Sequence, residues 1–156
     1  MAVISAGQVS DLFGLAVMRI RHVVPADAPA WVRLRQELWP EEDDTHRNEV
    51  EQFFRGELPE LLAVLLAESD HGQVIGIVEL SIRQDVAGCS LDRVGYVEGL
   101  YVVPDWRHQG VARALLRASR AWIEQRGCGA LASDRAGRAI VDRHHTGAVG
   151  RSRRTS

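Results

Sequence analysis

The chain has no lysine; all 19 basic residues among its 156 are arginine. That excludes a phosphate loop of the GK[ST] type and is what a GC-rich coding sequence produces. The GxGxxG triplet of a dinucleotide fold is also missing. Cysteine is scarce: Cys89 and Cys128 give neither metal-ligand spacing nor a disulfide framework, so a reducing, cytoplasmic setting is expected. His46, His71, His144 and His145 show no ligand spacing either, and no metal is expected. No apolar run reaches the length of a membrane span. The first 17 residues, MAVISAGQVSDLFGLAV, carry no basic residue and contain Asp11, which argues against a secretory signal. No internal repeat and no linker interrupts the chain. Aromatic residues stop at Trp122.

What is present is the ordinary material of one globular domain, 46% hydrophobic and 26% charged. The net charge of −2 is unevenly spread. Between Glu37 and Glu60 stand nine acids, including Glu41, Glu42, Asp43 and Asp44, against only Arg47 and Arg55. Such a stretch is either a solvated helix face or an acidic wall that draws in a small polycation by field focusing. From Gly127 onward six arginines face Asp134 and Asp142. This basic excess has no interleaved aromatics, so nucleic-acid binding is not expected.

Periodicity orders the chain. Arg19 to Val24 reads as a strand and Pro25-Ala26-Asp27 as a turn. Ala30, Trp31, Leu34, Leu38 and Trp39 recur at helical spacing until Pro40. A second helix fits Asp44 to Arg55, with Asp44 or Thr45 as its cap and Val50, Phe53 and Phe54 turned inward. Leu61 to Glu68 and Gln73 to Arg83 read as strands joined by a turn at His71-Gly72, and Val94 to Val103 as another strand. Gln109 to Arg126 is a helix and Cys128 to Asp134 a last strand. The β-α-α-β-β-β-α-β order is an α/β (α+β) domain with a central mixed, mostly antiparallel sheet flanked by helices.

The stretch VEGLYVVPDWRHQGVARALL runs from a buried strand through a glycine turn straight into an amphipathic helix. A helix start binds anions, because its first N–H groups lack intrahelical partners and the dipole is positive there. Gly110 lets the backbone approach a phosphate, Ala112 keeps a second small position, and Arg107 and His108 add donors. The bare alternative is a strand-turn-helix junction in which Gly110 only permits the bend.

Arg107-x-x-Gly110-x-Ala112 in this setting resembles the acetyl-CoA-binding motif of the GNAT superfamily of N-acetyltransferases. Trp39-Pro40 in QELWP, Glu98-Gly99 in VEGLYV and Ala132-Ser133-Asp134 in LASD are similar to the aminoglycoside 6'-N-acetyltransferase branch. The likeness runs from about Met18 to Asp134. It implies a GNAT-type fold that binds acetyl-CoA through backbone groups near Leu100 and Val102 and through Arg107, His108, Gln109, Gly110, Val111 and Ala112. It implies Glu98 as the base that takes a proton from the acceptor ammonium, with Asp134 as substrate-binding residue and rival base. Trp39 would be the aromatic wall of the sugar site. Each residue also has a plainer role: Glu98 on an exposed strand face, Asp134 as a cap, Trp39 in the core. The implied activity is direct acetyl transfer, in a ternary complex, to the 6'-amine of an aminoglycoside antibiotic, giving resistance. Another small amine or a peptide N-terminus as acceptor, or an inactive acetyl-CoA-binding fold, are the alternatives. A homodimer is compatible with the resemblance.

The chain departs from the family at both ends. Residues 1–17 precede the likeness and are expected to be an extension. In the family the Asp-bearing strand is followed by a helix and closing strands, which often supply a Tyr as proton donor to the thiolate. Here Arg135 to Ser156 reads RAGRAIVDRHHTGAVGRSRRTS, a basic composition expected to be disordered, so the family's C-terminal elements are expected to be incomplete. A frameshift near codon 135 would account for that segment.

Overall fold

The computed structural model describes residues 18–40, 44–84 and 93–133. Five strands form one sheet in the order β1-β2-β3-β4-β5: β1 Met18–His22, β2 Ala63–Ser69, β3 Val74–Arg83, β4 Val94–Val102 and β5 Leu131–Ser133. The first four pair antiparallel and β5 joins β4 in parallel. Helices α1 (Ala28–Leu38) and α2 (Thr45–Phe54) lie on one face, and α3 (Val111–Gln125) covers the other. This is the mixed, mostly antiparallel sheet that the apolar runs imply, with strand ends displaced by at most three residues.

Strand β2 shows why the layers form. Ala63, Leu65 and Ala67 point to the α3 side, and Val64 and Leu66 to the α1–α2 side. With both faces covered, an unbroken apolar run is the right sequence for the strand. Helix α3 buries Val111, Leu115, Ser119, Trp122 and Ile123, a four-then-three spacing that holds one stripe on the sheet. On the other face Trp31 is fully buried and meets Phe53 and Phe54 edge-to-face, at 5.1 and 5.7 Å between ring centroids. Val50 is buried, whereas Phe53 and Phe54 are only half-buried. Fully burying a Leu or Val stabilises the fold by about 1.5–3 kcal/mol each, so these stripes carry the sheet's two layers.

Two local expectations need correction. Asp44 occupies the N-cap position of α2, but its side chain makes no capping hydrogen bond. The long helix begins at Val111, because His108 and Gly110 both have positive φ (62° and 85°), which no helix can include.

Candidate active site

The site grows from one irregularity in β4. Glu79 pairs with Gly99 and Leu80 with Val97, so Glu98 is an extra residue in a β-bulge. In a regular strand Glu98 would share a face with Leu100 and Val102. The bulge turns Val97, Leu100 and Val102 to the α3 core and leaves Glu98 on the α1–α2 side. There Ser81 donates its hydroxyl to Glu98 Oε1. Arg83 grips the same carboxylate with two bonds, Nε to Oε1 at 2.9 Å and Nη2 to Oε2 at 2.6 Å.

Glu98 opens into a cleft of about 490 Å³ whose lining includes Arg35, Trp39, Glu49, Glu60 and Glu79. Trp39 ends α1 and lays its ring on Gly99, where a Cβ would stand only 2.5 Å from its Cη2. His46 stacks behind it at 6.3 Å and 24° between ring planes, with Nε2 2.7 Å from the Trp39 carbonyl oxygen. Arg35 lies 5.4 Å from the indole centroid. That guanidinium is itself fixed: Nε donates to Glu79 Oε2 at 2.9 Å, and Nη1 lies 2.6 Å from Glu49 Oε2. Trp31 Nε1 donates to the same Glu79 oxygen at 3.1 Å. Burial pushes the Glu79 carboxyl above its ordinary range, against the pull of Arg35 and Trp31. The lining therefore holds four carboxylates and two guanidiniums, a net acidic surface beside an aromatic wall.

A second cleft, about 450 Å³, opens where β4 runs into α3. Leu100, Tyr101 and Val102 form one side; Trp106, Arg107, His108, Gly110, Val111, Ala112 and Arg113 form the other. The turn through Pro104–Trp106 and the left-handed His108 and Gly110 reverse the chain, so that the start of α3 and the end of β4 line one cleft. A Cβ at Gly110 would meet nothing within 4 Å, so glycine is there for its φ of 85° rather than for space. Arg107 Nε donates to the Val102 carbonyl at 2.9 Å, and its guanidinium carbon lies 5.4 Å from the Tyr101 ring centroid. A helix start with three small or apolar positions, flanked by Arg107 and Arg113, fits a diphosphate. On the far side, β4 pairs with β5 only as far as Val97 with Ser133 among the described residues.

The structure thus brings Trp39 and Glu98 into one cleft and Leu100, Val102, Arg107, His108, Gly110, Val111 and Ala112 into the other. Gln109 lies apart, its side-chain amide donating to the Asp105 carbonyl at 2.9 Å. Asp134 and residues 135–156 lie outside the described residues, as do residues 1–17 and Glu41 to Asp43 of the acidic stretch. Sequence reasoning missed Arg35, Glu79, Ser81, Arg83 and Arg113, whereas Glu49 and Glu60 belong to the acidic stretch it singled out. For Glu79 a signal existed, since a carboxylate in the run VIGIVEL needs a buried partner. Among the described residues no group of three His, Cys, Asp or Glu could hold a metal, and no helix is long and apolar enough to cross a membrane.

Comparison with known proteins agrees with this geometry. Residues 28–140 match the model of the acetyltransferase (GNAT) family. The aminoglycoside N(6')-acetyltransferase type 1 of Stenotrophomonas maltophilia is 43% identical over 116 residues, 74% of this chain and 73% of that relative. The protein of the same name from Klebsiella aerogenes is 40% identical over 116 residues, 74% of this chain and 76% of that relative. Among solved structures, AAC(6')-Iy in complex with the bisubstrate analogue CoA-S-monomethyl-acetylneamine matches at a TM-score of 0.68 and 36% identity, covering 76% of this chain and 80% of that one. The aminoglycoside 6'-N-acetyltransferase AAC(6')-Ih from Acinetobacter baumannii matches at 0.69 and 33% identity, with the same coverage. A bulged strand between an acidic cleft and a cleft at a helix start, and the family match over most of the chain, lead to one conclusion: the chain belongs to the GNAT family of acetyltransferases.

Proposed function

We propose that the chain transfers an acetyl group from acetyl-CoA to the 6'-amine of aminoglycoside antibiotics and so confers resistance. The observation that carries this reading is the placing of Glu98. It lines an acidic, tryptophan-walled cleft, while Leu100, two residues on, lines the cleft at the helix start. Acceptor and thioester then meet across one strand, without a covalent enzyme intermediate. Relatives about 40% identical over three quarters of the chain, named for this acceptor, support the choice of substrate.

In this reading Glu98 binds the acceptor ammonium and removes one proton, directly or through water, because a protonated amine has no lone pair to attack. Asp134 is the rival for that task. The freed nitrogen bonds to the thioester carbon while a β4 backbone N–H near Leu100 or Val102 stabilises the developing oxyanion. The carbon–sulfur bond breaks, the nitrogen gives its second proton to solvent as the amide forms, the thiolate takes a proton from solvent, and Glu98 releases its own. Trp39 stacks on the sugar, and Glu49 and Glu60 attract the remaining ammonium groups, chiefly raising the association rate. At the other cleft the α3 N-terminus, Arg107, His108 and Arg113 hold the diphosphate.

The test is a thiol-release assay with acetyl-CoA against tobramycin, kanamycin, spermidine and a set of peptides. Release with the aminoglycosides, a product acetylated at the 6'-nitrogen and intersecting initial-velocity lines are expected. Faster turnover of spermidine or peptides would reassign the acceptor. Acetyl-CoA binding with no transfer to any amine would make the chain an inactive member of the fold.

A further inference from the structure

Arg83 lies where an acceptor cation would be expected to lie. Its Nε and Nη2 bind both oxygens of Glu98, the carboxylate to which the proposed function assigns the incoming ammonium. A bidentate guanidinium saturates the outward face of a carboxylate, so an amine cannot approach that face while Arg83 is there. Two features make this contact exchangeable. The pair is partly solvated, with side chains 45% and 27% exposed, so water or an incoming ammonium can replace its bonds one at a time. The guanidinium carbon already stands 3.7 Å from the centroid of the Tyr96 ring, a cation–π contact that Arg83 keeps when the carboxylate is taken from it. Ser81 holds Glu98 from the neighbouring strand, so Glu98 keeps its direction when Arg83 leaves. The cleft's other guanidinium, Arg35, is tied down by Glu79 and Glu49 and cannot take over the position.

We propose that Arg83 is an internal occupant of the acceptor-ammonium site, a guanidinium that the incoming amine displaces from Glu98 while it keeps its place over Tyr96. It is a positioning and specificity residue acting through Glu98. Its presence makes entry a cation exchange, which favours multiply charged acceptors over singly charged ones. A monoamine must displace one cation with one, whereas a polycation also gains Glu49 and Glu60 at the cleft wall.

The experiment compares the wild-type chain with Arg83→Gln and Arg83→Lys. Steady-state kinetics would use tobramycin and a simple primary monoamine, and calorimetry would measure tobramycin binding. Arg83→Gln is expected to lower the KM and the dissociation constant for tobramycin by roughly two- to fivefold, the strength of an exposed pair. The effect on KM should exceed that on kcat, and the monoamine should gain more than tobramycin. The salt dependence of KM should steepen, because the acceptor then meets one more uncompensated carboxylate. Arg83→Lys, which keeps the charge but not the fork, should fall between. A weaker tobramycin affinity in Arg83→Gln, or a loss of kcat with KM unmoved, would overturn the proposal and make Arg83 a direct supporter of catalysis. The two readings separate cleanly. Turnover by the wild type without the affinity gain in Arg83→Gln overturns the displacement alone. Absent turnover with the gain in calorimetry overturns the transfer reading alone. No tobramycin binding to either protein overturns both.

Discussion

Replacing Gly99 by alanine tests whether the acceptor wall is built as described. The added Cβ would stand 2.5 Å from Trp39 Cη2, 3.0 Å from Cζ2 and 3.1 Å from Leu38 Cδ2. Carbons normally rest about 3.5–4.0 Å apart, so the indole edge must retreat by roughly 1 Å. Gly99 cannot yield instead, because it is paired with Glu79 inside the sheet. Overpacking costs about 1–3 kcal/mol, and alanine in a strand recovers about 0.5–1 kcal/mol relative to glycine. Trp39 is half-buried at a helix end and can swing outward, so the net loss of stability should be small, about 0–2 kcal/mol. Function should suffer more, since a displacement of about 1 Å in a positioning wall can cost up to about a hundredfold in rate. Urea unfolding would give the first quantity and tobramycin kinetics the second, with the KM for acetyl-CoA as control. Gly99→Ala combined with Trp39→Phe removes the clashing atoms and should recover stability, a non-additive result. Wild-type KM in Gly99→Ala, with additive stability effects in the double variant, would refute the packing of Trp39 on Gly99.

Four further outcomes follow from the same geometry. Gly110→Asp should abolish acetyl-CoA binding by calorimetry, whereas Gly110→Asn, with similar backbone strain and no charge, should keep most of it; equal affinities would remove the phosphate from this turn. Glu98→Gln should lower turnover by about 10²–10⁴-fold with acetyl-CoA affinity nearly intact, and an undiminished rate would transfer the base role to Asp134 or solvent. Glu79→Ala leaves the Arg35 charge buried with Glu49 as its remaining carboxylate partner, and a loss of about 3–5 kcal/mol is expected in denaturant unfolding. Arg21 holds the Asp27 carboxyl below its ordinary value of 3.8, with bonds of 2.7 and 2.8 Å. A depressed acid stabilises the fold above that ordinary value and loses its effect as pH falls through the folded one. The stability gap between wild type and Asp27→Asn, from melts at stepped pH, should therefore be full near neutrality and close below about pH 4.

The elements were legible because each rests on local information. Apolar runs with both faces covered gave β2, β3 and β4, and the stripe Val111, Leu115, Trp122, Ile123 gave α3. The cofactor turn was legible for the same reason: its chemistry lies within six consecutive residues. The acceptor cleft was only half legible. Trp39 and Glu98 carry motif neighbours, but Arg35 and Glu79 are 44 positions apart and meet only once α1 crosses β3. Arg83 and Glu98 meet across two strands whose register is shifted by a bulge. No periodicity in one sequence encodes such pairs.

The bulge is the step that joins the two halves of the site. Val97 and Leu100 both enter the α3 core although three positions separate them, and strict alternation cannot do this. One extra residue resolves the conflict, and that residue is Glu98. Its neighbour must then be small, because the strand face beside a bulged Glu98 is where Trp39 closes the cleft. The pair Glu98-Gly99 is thus a single structural unit. The carboxylate needs the bulge to reach the acceptor side, and the glycine lets the aromatic wall come within contact of the same strand. Leu100 to Val102 resume alternation immediately and present the other edge of β4 toward the α3 helix start. A shift of one residue in this register would turn Glu98 toward the α3 core and pull the Leu100–Val102 edge out of line with the phosphate turn. Chemistry at the junction therefore depends on backbone register as much as on the carboxylate itself.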